Sequence, residues 1–377
     1  MELEDTAQAV VITQIFLTCV SVALHYGADV RYVGKTKYLN NARAVVTHSI
    51  DDSTRLVTRA LDTLDKYGVK TTVFVSTEED PPAEDRFITQ LQIKPLWPRL
   101  RQAVDNGHEI GSHSRTHPCR RPDTEAFCAE AYSDAEVRGS RDDIRKHTQQ
   151  PYVWTWCYPC GNCANYDFIQ KTIAAAGYIV ARNYPNEAQD GHIVPDLQTW
   201  DANPLNAAYT QVVQKRGGAA KTERLEMTLL NGKFDEIYQR GGIYNFMSHP
   251  QWLDYGPDAF FERHLAHISK RPDVWYVPMG PLYAFRTTHE RTEVRQLGPG
   301  KYSVSNDLDK KIYNGSITLD FEAPAGTEVL SRGKKLRERT SELTDRWTEE
   351  YVRRGGEHLY VTVLPNTTVE FRHRRSQ

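Results

Sequence analysis

The chain has 377 residues, 39% apolar and 25% charged, which is ordinary for a globular protein with a real core and exceeds one average domain. Its formal net charge of -2, with the histidines neutral, leaves no electrostatic footprint for nucleic acid. The basic residues of the last stretch, Arg332 to Lys335 and Arg372 to Arg375, lie among Glu and Asp and read as a solvated surface.

Val10 to Leu24 is the longest apolar run, broken by Thr13, Gln14, Thr18 and Ser21. It is too short and too polar for a stable membrane span. It suits the apolar region of a signal peptide, with Tyr26-Gly27-Ala28 as a cleavage region, although Glu2, Glu4 and Asp5 place acid where a signal carries base. Residues 1–28 are therefore expected to be a signal peptide, and the protein secreted or periplasmic.

Short β-branched runs then alternate with amphipathic ones. Strands are expected at Ala44–His48, Thr71–Val75, His108–Ser112, Tyr152–Trp156, Tyr178–Arg182, Ile243–Met247 and Val274–Val277. Between them Leu56, Ala60, Leu61 and Leu64 share a helical face that stops at Tyr67-Gly68. Leu96 to Val104 stops at Asn106-Gly107, and Phe168 to Ala176 at Gly177. Asp258 is the expected N-cap of a helix from Ala259 to Lys270. Alternation of this kind predicts an α/β protein with a parallel sheet, closed or nearly closed into a barrel. Gly34-Lys35-Thr36 lacks the leading glycine of a phosphate loop.

Gly298-Pro299-Gly300 breaks the pattern. Short alternating runs follow at Tyr302–Ser305, Ser316–Phe321, Glu328–Leu330, Leu359–Leu364 and Thr368–His373, with turn signals between. The expected division is a barrel over 29–297 and a small β-sandwich-like domain over 298–377. Trp347, Tyr351 and Tyr360 are either core residues of that domain or, less simply, a stacking platform for sugar rings. Asn314-Gly315-Ser316 and Asn366-Thr367-Thr368 match the glycosylation sequon.

Six cysteines are present. If Cys19 leaves with a signal peptide, Cys119, Cys128, Cys157, Cys160 and Cys163 remain, enough for one or two short-range disulfides and a spare thiol. The Cys157-x-x-Cys160-x-x-Cys163 spacing lacks a clear fourth ligand for a metal or iron–sulfur site.

Three polar clusters fall where barrel strands end, which is where functional residues of such folds collect. They are Thr47-His48-Ser49-Ile50-Asp51-Asp52, His113-Ser114-Arg115-Thr116-His117 and Met247-Ser248-His249-Pro250. His113 and His117 are four apart, so on a helical turn both imidazoles would face one ion. Two histidines and a carboxylate from Asp51 or Asp52 make a hydrolytic metal site with open positions. The other Asp would face the substrate, and His249 is the right type for a general acid. Any one cluster alone is more often a helix start, a turn or a surface pair. Their joint placement favours a site.

These motifs resemble those of the NodB-homology polysaccharide deacetylases, carbohydrate esterase family four. Ser49-Ile50-Asp51-Asp52 is similar to the family's T-F-D-D motif, and His113 to His117 matches H-[ST]-x-x-H. Tyr158-Pro159-Cys160-Gly161 resembles the third motif, often R-x-P-Y-G, and Met247-Ser248-His249 the last. The resemblance covers roughly Val45 to Val277. It implies a distorted (β/α)7 barrel and removal of acetyl groups from an N-acetylated or O-acetylated polysaccharide or oligosaccharide. It further implies Asp51 as general base, Asp52, His113 and His117 as ligands of a divalent metal (usually zinc), and His249 as general acid. The backbone N–H of Cys160 would help stabilise the tetrahedral oxyanion.

There are departures. The family's third-motif Arg, which orients the catalytic Asp, falls on Cys157. Trp156 to Gly161 is closer to the aromatic-x-Tyr-Pro-aromatic-Gly form of some poly-N-acetylglucosamine deacetylases, except at Cys160. A disulfide among residues 157, 160 and 163 would replace the aromatic wall as a clamp on this loop. Ser53 stands where the family has Gly, and Trp200-Asp201 only echoes the fourth motif, with Asp201 a candidate support for His249. Three other readings stay open: an esterase on acetylated xylan, a cyclic-amide hydrolase of the allantoinase-like type, and a carbohydrate-binding protein with a decayed site.

Overall fold

The computed structural model describes residues 29–78, 95–120, 123–183, 210–211, 220–253, 255–339 and 347–373. The expected signal peptide at 1–28 and the Trp200-Asp201 pair lie outside the described residues. Among the described residues no helix is long and apolar enough to cross a membrane.

The chain divides into two compact units, one built from 42–286 and the other from residues before 42 and after 286. The first holds a parallel sheet. Its strands are β2 (Ala44–Ile50), β3 (Thr71–Val75), β4 (Glu109–Ser112), β5 (Thr155–Cys157), β6 (Val180–Arg182), β7 (Thr210–Gln211), β8 (Ile243–Ser248) and β9 (Val274–Tyr276). They run β6-β5-β4-β3-β2-β8-β7, and β9 lies beside the first half of β2 on the edge whose second half pairs with β3. Among the described residues β6 and β7 are not paired, so the sheet is a curled, distorted half-barrel rather than a closed one.

All seven residues of β2 are buried, as in a parallel strand covered on both faces. The outer face packs on helices. These include α1 (Val57–Tyr67), α2 (Trp97–Asp105), α3 (Glu125–Ala131), α4 (Asp134–Thr148), α5 (Asp167–Ala175), α6 (Ala220–Arg240) and α7 (Phe260–Ile268). Val46, Ile50, Val73 and Ile110 of the strands meet Ala60, Leu61, Leu64 and Ile144 there. α1 ends as its sequence implies, with Gly68 left-handed at φ 69° and its N–H closing on Leu64 and Asp65. Asp258 does not cap α7. Ala259 holds the cap position and makes no side-chain cap bond, because the helix starts one residue later than expected.

The inner face has its own small cluster: Phe74, Cys157 and Val180 against Met279 and Tyr283 from the start of α8 (Met279–Arg291). Gly111 on this face has no alternative. A Cβ there would sit 2.3 Å from Thr155 Oγ1 and 2.7 Å from the Phe74 ring.

The second unit contains two antiparallel sheets. One joins β1 (Arg31–Lys35), β12 (Ile317–Glu322), β16 (His358–Val363) and β15 (Tyr351–Gly355). The other joins β10 (Glu293–Gly298), β11 (Lys301–Ser305), β17 (Thr367–His373), β13 (Thr327–Ser331) and β14 (Lys334–Lys335). Phe321 of the first sheet lies 4.5 Å from Phe371 and 5.0 Å from Tyr302 of the second, ring centre to ring centre. β1 therefore lies in the sheet unit rather than with the barrel, and the break between units falls inside α8, not at 297/298. Gly298-Pro299-Gly300 is a hairpin connection from β10 to β11. Tyr351 is 2% exposed, a core residue of this unit and not part of a sugar platform.

Candidate active site

Side chains alternate along a strand, so one parity of each strand points to the inner face. The same alternation carries Asp51, His113 and His249 inward at the ends of β2, β4 and β8, with Cys157 and Arg182 as the last residues of β5 and β6. All five are buried. His48, of opposite parity, faces the helices instead, where its ring packs on Phe246 and its Nε2 meets Ser248 Oγ at 2.9 Å.

Asp52 follows Asp51 in a left-handed conformation, φ 59°, which turns its carboxylate away from its neighbour's direction. Asp52 Oδ1 lies 3.7 Å from His113 Nε2 and 3.5 Å from His117 Nε2, and Oδ2 lies 3.7 Å from His249 Nε2. His113 and His117 do not share a helical turn. Ser114 and His117 both have positive φ, and Ser114 Oγ accepts the His117 N–H at 2.9 Å, so a tight loop, not helix periodicity, brings the rings to 4.7 Å. Glu136 of α4 holds this loop by accepting the N–H groups of Arg115 and Thr116 at 2.8 and 3.0 Å. Nothing in the sequence pattern singled Glu136 out; it lies twenty residues on, in an ordinary helical stretch.

These residues fit a divalent cation. One carboxylate and two imidazoles converge within coordinating reach. His113 Nδ1 lies 2.9 Å from the Cys157 carbonyl, to which it donates, leaving Nε2 as the lone-pair nitrogen toward Asp52. Asp52 Oδ1 is buried without a hydrogen-bond donor among the described residues. Burial pushes the Asp52 carboxyl up to about 6, with the charge of Asp51 adding to it. Burial likewise pushes His113 down to about 3, and His117 beside it adds to the effect.

Asp51 is held differently. Burial favours its neutral form, but the Arg182 guanidinium beside it, with His113 and His249, holds the carboxyl below the usual range. Arg182 Nη2 donates to Asp51 Oδ1 and lies 2.8 Å from Cys157 Sγ. The Cys157 thiol sits 3.7 Å from Asp51 Oδ2, and burial pushes it well above the ordinary thiol range. Arg182 was not among the residues expected from sequence. The available signal was a lone arginine closing an apolar strand at the barrel's functional end.

The loop after β5 is clamped, though not by the cysteines expected to pair among themselves. Cys160 is bonded to Cys119 and Cys163 to Cys128, leaving Cys157 as the free thiol. The first disulfide ties this loop to the chain just after His117, and the second ties it to α3. Cys160 has φ 54° in a 3-10 turn at Pro159–Gly161. His249 reaches Asp52, and burial lowers its pKa. Its expected partner Asp201 is outside the described residues.

Residues 39–181 match the family described as Polysaccharide deacetylase. No protein of curated function matches the chain at a significant level. Among solved structures, a Mycobacterium smegmatis protein given as a polysaccharide deacetylase by assignment is 15% identical, covering 71% of this chain and 98% of its own, at a TM-score of 0.45. The chitin deacetylase of Colletotrichum lindemuthianum is 14% identical, with 66% and 89% covered and a TM-score of 0.39. A family 4 acetyl xylan esterase from Clostridium thermocellum, in complex with a cobalt ion, is 17% identical, with 59% and 81% covered and a TM-score of 0.31. The segment that is similar to the polysaccharide deacetylases contains the Asp51-Asp52 pair, both histidines of the second motif and the clamped loop.

Proposed function

We propose that the protein is a metal-dependent hydrolase that removes acetyl groups from an N-acetylated or O-acetylated carbohydrate. The observation that carries this reading is the convergence of Asp52, His113 and His117 next to a second carboxylate held in its ionised form. Asp52, His113 and His117 would hold the ion, for which the donor set favours zinc. A bound divalent cation supplies Lewis acidity toward a water and the acetyl carbonyl.

The rest falls to the chain's own groups. Asp51 accepts the proton of the attacking water, its carboxylate held in place by Arg182 at Oδ1. His249 donates a proton to the departing amine or alcohol, and the backbone N–H of Cys160 faces the developing oxyanion. The turn at Cys160, fixed by its disulfide, is suited to keep that N–H in place without reorganisation. The absence of an arginine at position 157 gave a reason to suspect a decayed site; the Arg182 contact to Asp51 supports an intact one. Export to an oxidising compartment is part of the proposal, supported by two disulfides among the five cysteines of the described residues.

The test is acetate release from N-acetylglucosamine oligomers and from acetylated xylan, before and after chelation and on return of zinc. Activity should vanish and return with zinc, and Asp51→Asn should lower it by about a thousandfold or more. A rate indifferent to chelation would contradict the reading, and the preferred substrate separates amide from ester.

A further inference from the structure

We propose that Arg182 is the positioning residue for Asp51, supplied from β6 across the sheet in place of an arginine at position 157, and that the small side chain of Cys157 makes this possible. The proposal rests on the deacetylase reading above.

The geometry begins in the strand register. β5 and β6 are parallel, and Cys157 pairs directly with Arg182. Register partners in neighbouring strands project to the same face. A side chain long enough to reach Asp51 from β6 must therefore pass over position 157. Cys157 leaves that path open, and the guanidinium lies against its sulfur at 2.8 Å. A large side chain at 157 would fill the space. Beneath, the guanidinium stacks 5.0 Å over the Phe74 ring, which Gly111 in turn gives room. The Arg182 carbonyl accepts the Tyr158 N–H at 3.0 Å, so the strand ends that carry both residues are tied together.

The contact is placed for function. Arg182 and Asp51 are both buried, with side-chain exposures of 0% and 4%. Replacing a buried ion pair by well-packed apolar residues is often neutral or stabilising, so stability alone gives little reason to keep one here. An arginine stays charged and has no acceptor, so it cannot be acid or base itself. What it can do is engage Oδ1 and fix the carboxylate plane, while the Cys157 thiol lies 3.7 Å from Oδ2.

The zinc-loaded full chain should be compared with Arg182→Lys, Arg182→Ala and the double variant Cys157→Arg/Arg182→Ala. Lysine keeps a cation beside Asp51 and so protects the fold, but lacks the planar fork. It should lower kcat by about tenfold or more with KM within about twofold. Arg182→Ala should lose more, on the order of a hundredfold. The double variant, with the guanidinium returned from β5, should recover at least about tenfold over Arg182→Ala. Zinc affinity, measured by competition with a chromophoric chelator, should stay within about threefold in every variant, because none of the three ligands is touched. Wild-type kcat in Arg182→Lys, or a folded, zinc-binding double variant no faster than Arg182→Ala, would overturn the assignment. Wild-type protein that releases no acetate from either substrate would instead overturn the deacetylase reading itself.

Discussion

The two units bury polar groups in opposite ways. In the sheet unit around Phe321 and Phe371 the buried polar side chains are mostly hydroxyls that bond one another or the backbone. Thr318 Oγ1 meets Thr362 Oγ1 at 2.8 Å, and Ser331 Oγ meets Thr367 Oγ1 at 3.0 Å. Its ion pairs are exposed, as Arg291–Asp307, or half-buried, as Arg339–Glu349. The barrel unit buries two aspartates, three histidines and an arginine within a few ångströms at its strand ends. Buried charge is the expensive arrangement, and a fold retains it where chemistry needs it. Hydroxyl pairs in an antiparallel core only satisfy themselves.

Substitutions can sharpen that contrast. The largest stability effect should come from Glu109, which lies buried on the inner face of β4. Its carboxylate accepts the Thr72 hydroxyl and the Gly280 N–H, each at 2.8 Å. Burial pushes its pKa up to about 7. A carboxyl with a raised folded pKa stabilises below its unfolded value and loses that contribution as pH rises through about 7. Relative to wild type, Glu109→Gln should therefore gain up to about 3 kcal/mol in unfolding free energy between about pH 4 and pH 8, read from urea titrations. Parallel pH curves for the two proteins would show that Glu109 is not held protonated. The smallest effect should come from Thr362→Val, which removes one hydroxyl pair while the Asn40 N–H still reaches Thr318 Oγ1 at 2.7 Å. Urea unfolding should show a loss of about 1 kcal/mol. A loss several times larger would break the distinction between the units.

Much of the barrel was legible because its strands are compact β-branched runs bounded by helix stops. All seven expected barrel strands occur, including the short one at Val274–Tyr276. The strands that escaped notice carry little apolar contrast. β1 reads Arg-Tyr-Val-Gly-Lys, and most of β10 is exposed on both faces, so neither alternates in a way that reveals burial. They are fixed by pairing partners far away in sequence, β1 with β12 across almost the whole chain. At the site, the residues of the local motifs come together, but by a different local geometry from the helical turn expected. The left-handed conformations at Asp52, Ser114 and His117 belong to side chains for which the sequence offers no glycine marker. Arg182 was hidden for a related reason. Its meaning depends on register with Cys157, and register is a tertiary fact.

The central claim is that two adjacent aspartates do separate jobs, Asp52 holding the metal and Asp51 taking the proton. Titration of zinc into the chelator-stripped wild type, Asp51→Asn and Asp52→Asn measures this most directly. The expected result is one zinc per chain for wild type and for an inactive Asp51→Asn, with binding in Asp52→Asn weakened at least about a hundredfold. Loss of zinc from Asp51→Asn, or its retention at wild-type affinity in Asp52→Asn, would contradict the division of roles.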